Sequence, residues 1–101
     1  MNAFQQLIAS GKPVLVDFTA TWCGPCKMMA PVLEQVKHTL GNRITIIKID
    51  IDKSPQTASS FQIQGVPTLL LFRDGLVQWR QSGVMSAPQL TGILNQYLPA
   101  V

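Results

Sequence analysis

The sequence predicts an α/β fold in which helices cover both faces of a central sheet, and three observations carry that prediction. Apolar runs rich in β-branched residues alternate with stripes of helical spacing, in the order strand, helix, strand, helix, strand. Such an alternation implies right-handed crossovers and a parallel layer with helices on both faces. The only two cysteines, in Trp22-Cys23-Gly24-Pro25-Cys26-Lys27, fall between the first strand and the long helix after it, where open α/β sheets carry their sites. A length of 101 residues suits one domain, 1–101, burying roughly 60–70% of its unfolded surface.

Composition excludes several classes. Hydrophobic residues make up 47% and charged residues 13%, so a substantial core is expected and disorder is not. No run approaches the ~20 apolar residues of a membrane helix. The start, Met1-Asn2-Ala3-Phe4-Gln5-Gln6, lacks the basic and apolar regions of a signal peptide, which makes the expectation cytoplasmic, with no membrane partner. The formal charge of +3 comes from eight dispersed Lys and Arg, without interleaved aromatics, so no nucleic acid partner is expected.

Phe4, Leu7 and Ile8 recur at helical spacing and stop at Gly11, with Pro13 beyond, giving a short first helix. Val14-Leu15-Val16-Asp17-Phe18 follows as a central strand covered on both faces. Asp17 interrupts it. A carboxyl group there is expensive as a bare charge, so its pKa should rise unless a cation or water satisfies it. Lys48 on the next strand is the candidate partner.

From Cys26 onward, Met29, Val32, Leu33, Val36 and Leu40 trace one stripe of a long helix ending at Gly41-Asn42. Pro31 should bend it, because proline lacks an N–H and crowds the preceding turn. His38 lies far along this helix from the cysteines and reads as solvent-facing. Ile44 to Ile49 forms the second strand, the Asp50-Ile51-Asp52 turn leaves it, and Ser54-Pro55 starts a short helix through Ala58 and Phe61.

Gly65-Val66-Pro67-Thr68 leads into a third strand, Thr68 to Phe72, and Arg73-Asp74-Gly75 is a tight turn to an antiparallel fourth, Leu76 to Gln81. Gly83 lets the backbone come close to the site. Ser86-Ala87-Pro88 opens a last helix with the stripe Leu90, Ile93, Leu94 and Tyr97.

The cysteine pair reads as a redox-active dithiol. Two thiols separated by two residues reach each other where the chain turns into a helix, and Gly24-Pro25 favours that turn. Cys23 would sit at the open end of the helix, whose unpaired N–H groups and macrodipole stabilise a thiolate. Cys26, one turn inside, would attack the mixed disulfide that Cys23 forms and so release the product. Two blander readings stand beside this. A structural zinc site needs four ligands, and two cysteines with His38 match no common zinc spacing. A purely structural disulfide closing so small a ring would stabilise little. No metal is expected, and no cofactor beyond the disulfide itself.

Phe18-Thr19-Ala20-Thr21-Trp22-Cys23-Gly24-Pro25-Cys26-Lys27 resembles the active-site segment of the thioredoxin family. The likeness continues in Asp50-Ile51-Asp52, Gly65-Val66-Pro67-Thr68-Leu69-Leu70-Leu71-Phe72, Asp74-Gly75 and Ser82-Gly83, in collinear order from about Phe4 to Leu98. The resemblance implies a thioredoxin-like fold with a mixed central sheet, and a protein disulfide reductase recharged by an NADPH-dependent thioredoxin reductase. It implies disulfide-containing proteins as substrates, Asp17 beneath the site deprotonating the inner thiol through water, and a cis Val66–Pro67 bond against the disulfide. Trp22, Gly24, Pro25, Gly65, Val66, Pro67 and Gly83 would form the substrate groove, with the Val66 backbone free to pair with an extended chain. Lys27 would add positive charge near the thiolate.

The chain departs from the family twice. Thioredoxins usually begin with a strand before the first helix, and only three residues precede Phe4, so that strand should be absent. The sheet would then have four strands and leave Ile44 to Ile49 as an apolar edge, which invites pairing with another chain, such as a second copy. Thr19 stands where thioredoxins often carry a tryptophan. Two other functions fit the same residues. An oxidase or isomerase would use the same fold, although oxidising relatives usually carry a histidine where Gly24-Pro25 stands. A binding or assembly subunit would retain its role with both cysteines replaced.

Overall fold

The computed structural model describes residues 2–99. In chain order it contains α1 (Ala3–Ile8), β1 (Val14–Thr19), α2 (Gly24–Leu40), a 3-10 turn (Gly41–Arg43), β2 (Thr45–Asp50), α3 (Pro55–Ser60), β3 (Thr68–Arg73), β4 (Leu76–Ser82) and α4 (Ala87–Asn95). Local chemistry explains most of these boundaries. Asn2 caps α1 by accepting from the Gln5 N–H while the Gln5 side chain returns to the Asn2 N–H, and Ser86 and Gln89 repeat this box at α4. Between β3 and β4, Asp74 and Gly75 have φ of 53° and 81°, the paired positive values that a two-residue hairpin turn demands.

The four strands form one mixed sheet in the order β2-β1-β3-β4. β1 and β2 run parallel, and β3 is antiparallel to both β1 and β4. The direction of β3 corrects the parallel layer read from the alternation of elements. With only six residues, α3 advances the chain about 9 Å, against roughly 20 Å for a six-residue strand. α3 by itself does not return the chain along the sheet, and β3 starts from the end where β2 finished.

Strand alternation divides the core in two. Leu15, Leu69 and Leu71 face α2 and α4, where Met29, Leu33, Val36, Leu90 and Leu94 pack on them. Val14, Val16, Phe18, Leu70 and Phe72 face α1 and α3, and Phe4 and Phe61 close that side against Phe72. Pro31 lies inside α2 without ending it.

The two edges differ. β4 carries a register shift that leaves Gln78 opposite no residue of β3, which blunts an edge. β2 pairs with β1 residue for residue and is the other edge, since no strand precedes α1 among the described residues. Among those residues no helix is long and apolar enough to cross a membrane.

Candidate functional site

β1 ends at Thr19, the Cys23 N–H donates to the Ala20 carbonyl at 3.2 Å, and α2 begins at Gly24. Cys23 is therefore the N-cap. Its sulfur accepts from the Cys26 N–H at 3.1 Å, and Pro25 fills a first-turn position whose N–H would find no partner in the helix. The two cysteines are joined as a disulfide with their Cα atoms 5.3 Å apart. Both are nearly covered, at 4% and 5% exposure, in a small apolar cluster with Ala20, Ile51 and Val66.

The start of β3 supplies the far wall. Cys23 Sγ lies 3.6 Å from the Val66 carbonyl oxygen, and the Val66–Pro67 peptide bond is cis. The Gly83 N–H donates to the Pro67 carbonyl at 2.9 Å, and the φ of +94° at Gly83 is one that glycine adopts freely. Thr68 Oγ1 donates to the Gly65 carbonyl at 2.6 Å and lies 2.8 Å from Ser82 Oγ. Gly65, Val66, Pro67 and Gly83 are thus tied into one rim against the outer sulfur. On the other side Trp22 is 68% exposed, its indole N–H donating to Asp52 Oδ2 at 2.8 Å, while the Asp52 N–H donates to Asp50 Oδ1. Gly24, Pro25 and Lys27 lie exposed along the helix start.

On β1, the strand that leads into the cysteine loop, Asp17 is 1% exposed and its Oδ1 finds no partner. Burial raises its carboxyl from 3.8 to about 6, against a smaller opposing pull from the Lys48 ammonium. Lys48 is the register partner of Asp17 on β2, and it is exposed. A cleft of about 270 Å³ opens between β2 and the start of α2, reaching Cys26, Thr19, Lys27 and Lys48.

His38 lies near the end of α2, about 18 Å along the helix from Cys26, and takes no part. Among the described residues no cluster of three or more potential metal ligands exists. Sequence reasoning missed Asp52 as the anchor of Trp22 and Ser82 as the partner of Thr68. Only the acid in the turn after β2 offered a signal for the first, and the sequence singles out Ser82 only within the Ser82-Gly83 likeness, not as the partner of Thr68.

The Thioredoxin family model matches residues 1–96. A thioredoxin-like protein of Synechocystis is 55% identical over 97 residues, covering 96% of this chain and 92% of that protein. A bifunctional thioredoxin reductase/thioredoxin of Mycobacterium leprae is 44% identical over 96 residues, 95% of this chain and 21% of its own length. Among solved structures, a mutant thioredoxin from Halobacterium salinarum superposes with a TM-score of 0.86 at 34% identity, over 97% of this chain and 85% of its own.

Proposed function

This chain belongs to the thioredoxin family of thiol–disulfide oxidoreductases, and from that membership we propose that it reduces disulfides in other proteins as a single domain spanning 1–101. The observation that carries the reading is the Cys23–Cys26 disulfide at the first turn of α2, with the outer sulfur facing a backbone N–H and the Val66 carbonyl. When the pair is reduced, that N–H and the helix dipole favour a thiolate at Cys23. Cys23 attacks the substrate disulfide, and the substrate chain lies along Trp22, Gly24, Pro25, Gly65, Val66, Pro67 and Gly83.

Cys26 then attacks the Cys23 sulfur of the mixed disulfide and frees the second substrate thiol. Asp17 takes the Cys26 proton, and its raised pKa suits a base working near neutral pH. Lys48 tempers that pKa. A thioredoxin reductase drawing on NADPH restores the dithiol, and the name of the Mycobacterium leprae relative puts a reductase and a thioredoxin in one chain. The working compartment is a reducing one such as the cytoplasm, where thiols stay available. No cofactor takes part beyond the disulfide.

The unbroken β2 edge supports one further partner, a second copy of this chain paired strand to strand through Ile44 to Ile49. Sedimentation across protein concentration tests that. Insulin reduction with NADPH and a thioredoxin reductase tests the main reading, run beside Cys23→Ser and Cys26→Ser. Turnover should vanish in both, and turnover surviving either change would refute it.

A further inference from the structure

We propose that the cleft between β2 and the start of α2 is the proton door of the site, and that Thr19 is the positioning residue linking the Asp17 carboxyl to it. This inference rests on the reading of Asp17 as the base for Cys26. Leu15, Asp17 and Thr19 alternate onto one face of β1, the face that packs on α2. Their neighbours on β2 are Ile46, Lys48 and Asp50. Thr19, Lys48 and Asp50 floor the cleft, and Cys26, Lys27 and Ala30 of α2 form its wall.

Two polar groups here lack protein partners. Asp17 Oδ1 is buried and unsatisfied, and the Thr19 hydroxyl has no hydrogen bond to the protein among the described residues. Residues two apart on one face of a strand have backbones about 6.6 Å apart, so side chains that lean toward each other come within the span of about 5.6 Å that one water bridges with two hydrogen bonds of about 2.8 Å. The cleft, at about 270 Å³, has room for several waters.

Timing argues for this route. In the resolving step the substrate lies against Cys23 and the Val66 rim, so that side is covered. Cys26 loses its S–H proton toward Asp17, and its sulfur bonds to the Cys23 sulfur. The bond from Cys23 to the substrate breaks, and the electron pair leaves on the substrate sulfur, which is then protonated. Two electrons pass from the dithiol to the substrate disulfide. Asp17 must next return its proton, and Thr19, two residues along the same face of β1, lines the cleft on the side the substrate leaves open. The charged and titratable groups on the elements around Asp17 are its register partner Lys48 and Asp50 on β2 and, across the cleft, Cys26 and Lys27 on α2, while its register partner on β3 is apolar Leu69. Lys27 and Lys48 make the mouth attractive to small anions.

The test is chemical rescue, with resolution of a mixed disulfide to a fluorescent peptide followed by stopped flow. Asp17→Ala should slow resolution by roughly a hundredfold, and sodium formate, but not sodium chloride, should restore part of the rate saturably. Adding Thr19→Trp, whose indole fills the cleft, should abolish that rescue. In the otherwise intact protein Thr19→Val should slow repeated turnover by about tenfold at mildly acidic pH, because Asp17 must shed its proton before each new resolving step, Thr19→Ser should recover it, and the first attack by Cys23 should not change. Formate rescue undiminished by Thr19→Trp, or a Thr19→Val profile matching the parent at every pH, overturns the door. An Asp17→Ala protein that resolves as fast as the parent overturns instead the reading of Asp17 as base.

Discussion

Asp17 and Lys48 are side-by-side partners on neighbouring parallel strands, the carboxyl buried at 1% exposure and the ammonium in solvent. Burial pushes the acid up to about 6 and the cation pulls it part of the way back. Replacing Lys48 with Met removes that pull, so the Asp17 carboxyl should titrate higher than in the parent. Carbon-detected NMR of the side-chain carboxyl checks this, and an unmoved titration would show that the exposed ammonium is screened.

The same burial has a stability consequence. Because the folded pKa is raised from 3.8 to about 6, the native state binds this proton more tightly than the unfolded chain. Stability contributed by the protonated group is complete below about 4, falls as pH rises toward 6, and stays lost above; the total is on the order of 3 kcal/mol. Asp17→Asn should therefore stabilise the oxidised protein at neutral pH by up to about that amount and remove the slope between those values. Urea unfolding at acidic and neutral pH measures both.

Exchange of the two thiols should separate their roles. Cys26→Ser should accumulate a stable mixed disulfide with a substrate protein, visible by mass spectrometry, and Cys23→Ser should form none. In the reduced parent, iodoacetamide should modify Cys23 well below the pH that an ordinary cysteine, with a pKa of about 8.5, requires.

Trp22 is exposed yet fixed by its indole hydrogen bond to Asp52. Trp22→Phe keeps an apolar ring and loses that anchor. Stability should fall by no more than about 1 kcal/mol, while KM for protein disulfides rises and kcat stays nearly level. Steady-state insulin reduction reads the split.

Gly75 sits in the β3–β4 turn at φ of +81°, at the end of the sheet away from Pro67 and Gly83. A side chain is strained there, so Gly75→Ala should cost about 1 kcal/mol in thermal or urea unfolding. The reductase rate should be unchanged.

The elements, and the placement of the cysteines at a helix start, were legible along the chain because they follow from local chemistry: apolar spacing, Gly-Pro after Cys23, and the Ser86 cap. Burial of Asp17 was legible too, since a carboxyl in an unbroken apolar run has nowhere else to go. The direction of β3 was settled only in three dimensions, because the segment between β2 and β3 is long enough to reach either end of the sheet. So were the meeting of Cys23 with the carbonyl of Val66, far along the chain, the Trp22–Asp52 bond and the cleft at Thr19. These depend on which segments the topology brings together, and spacing along a chain carries no record of that.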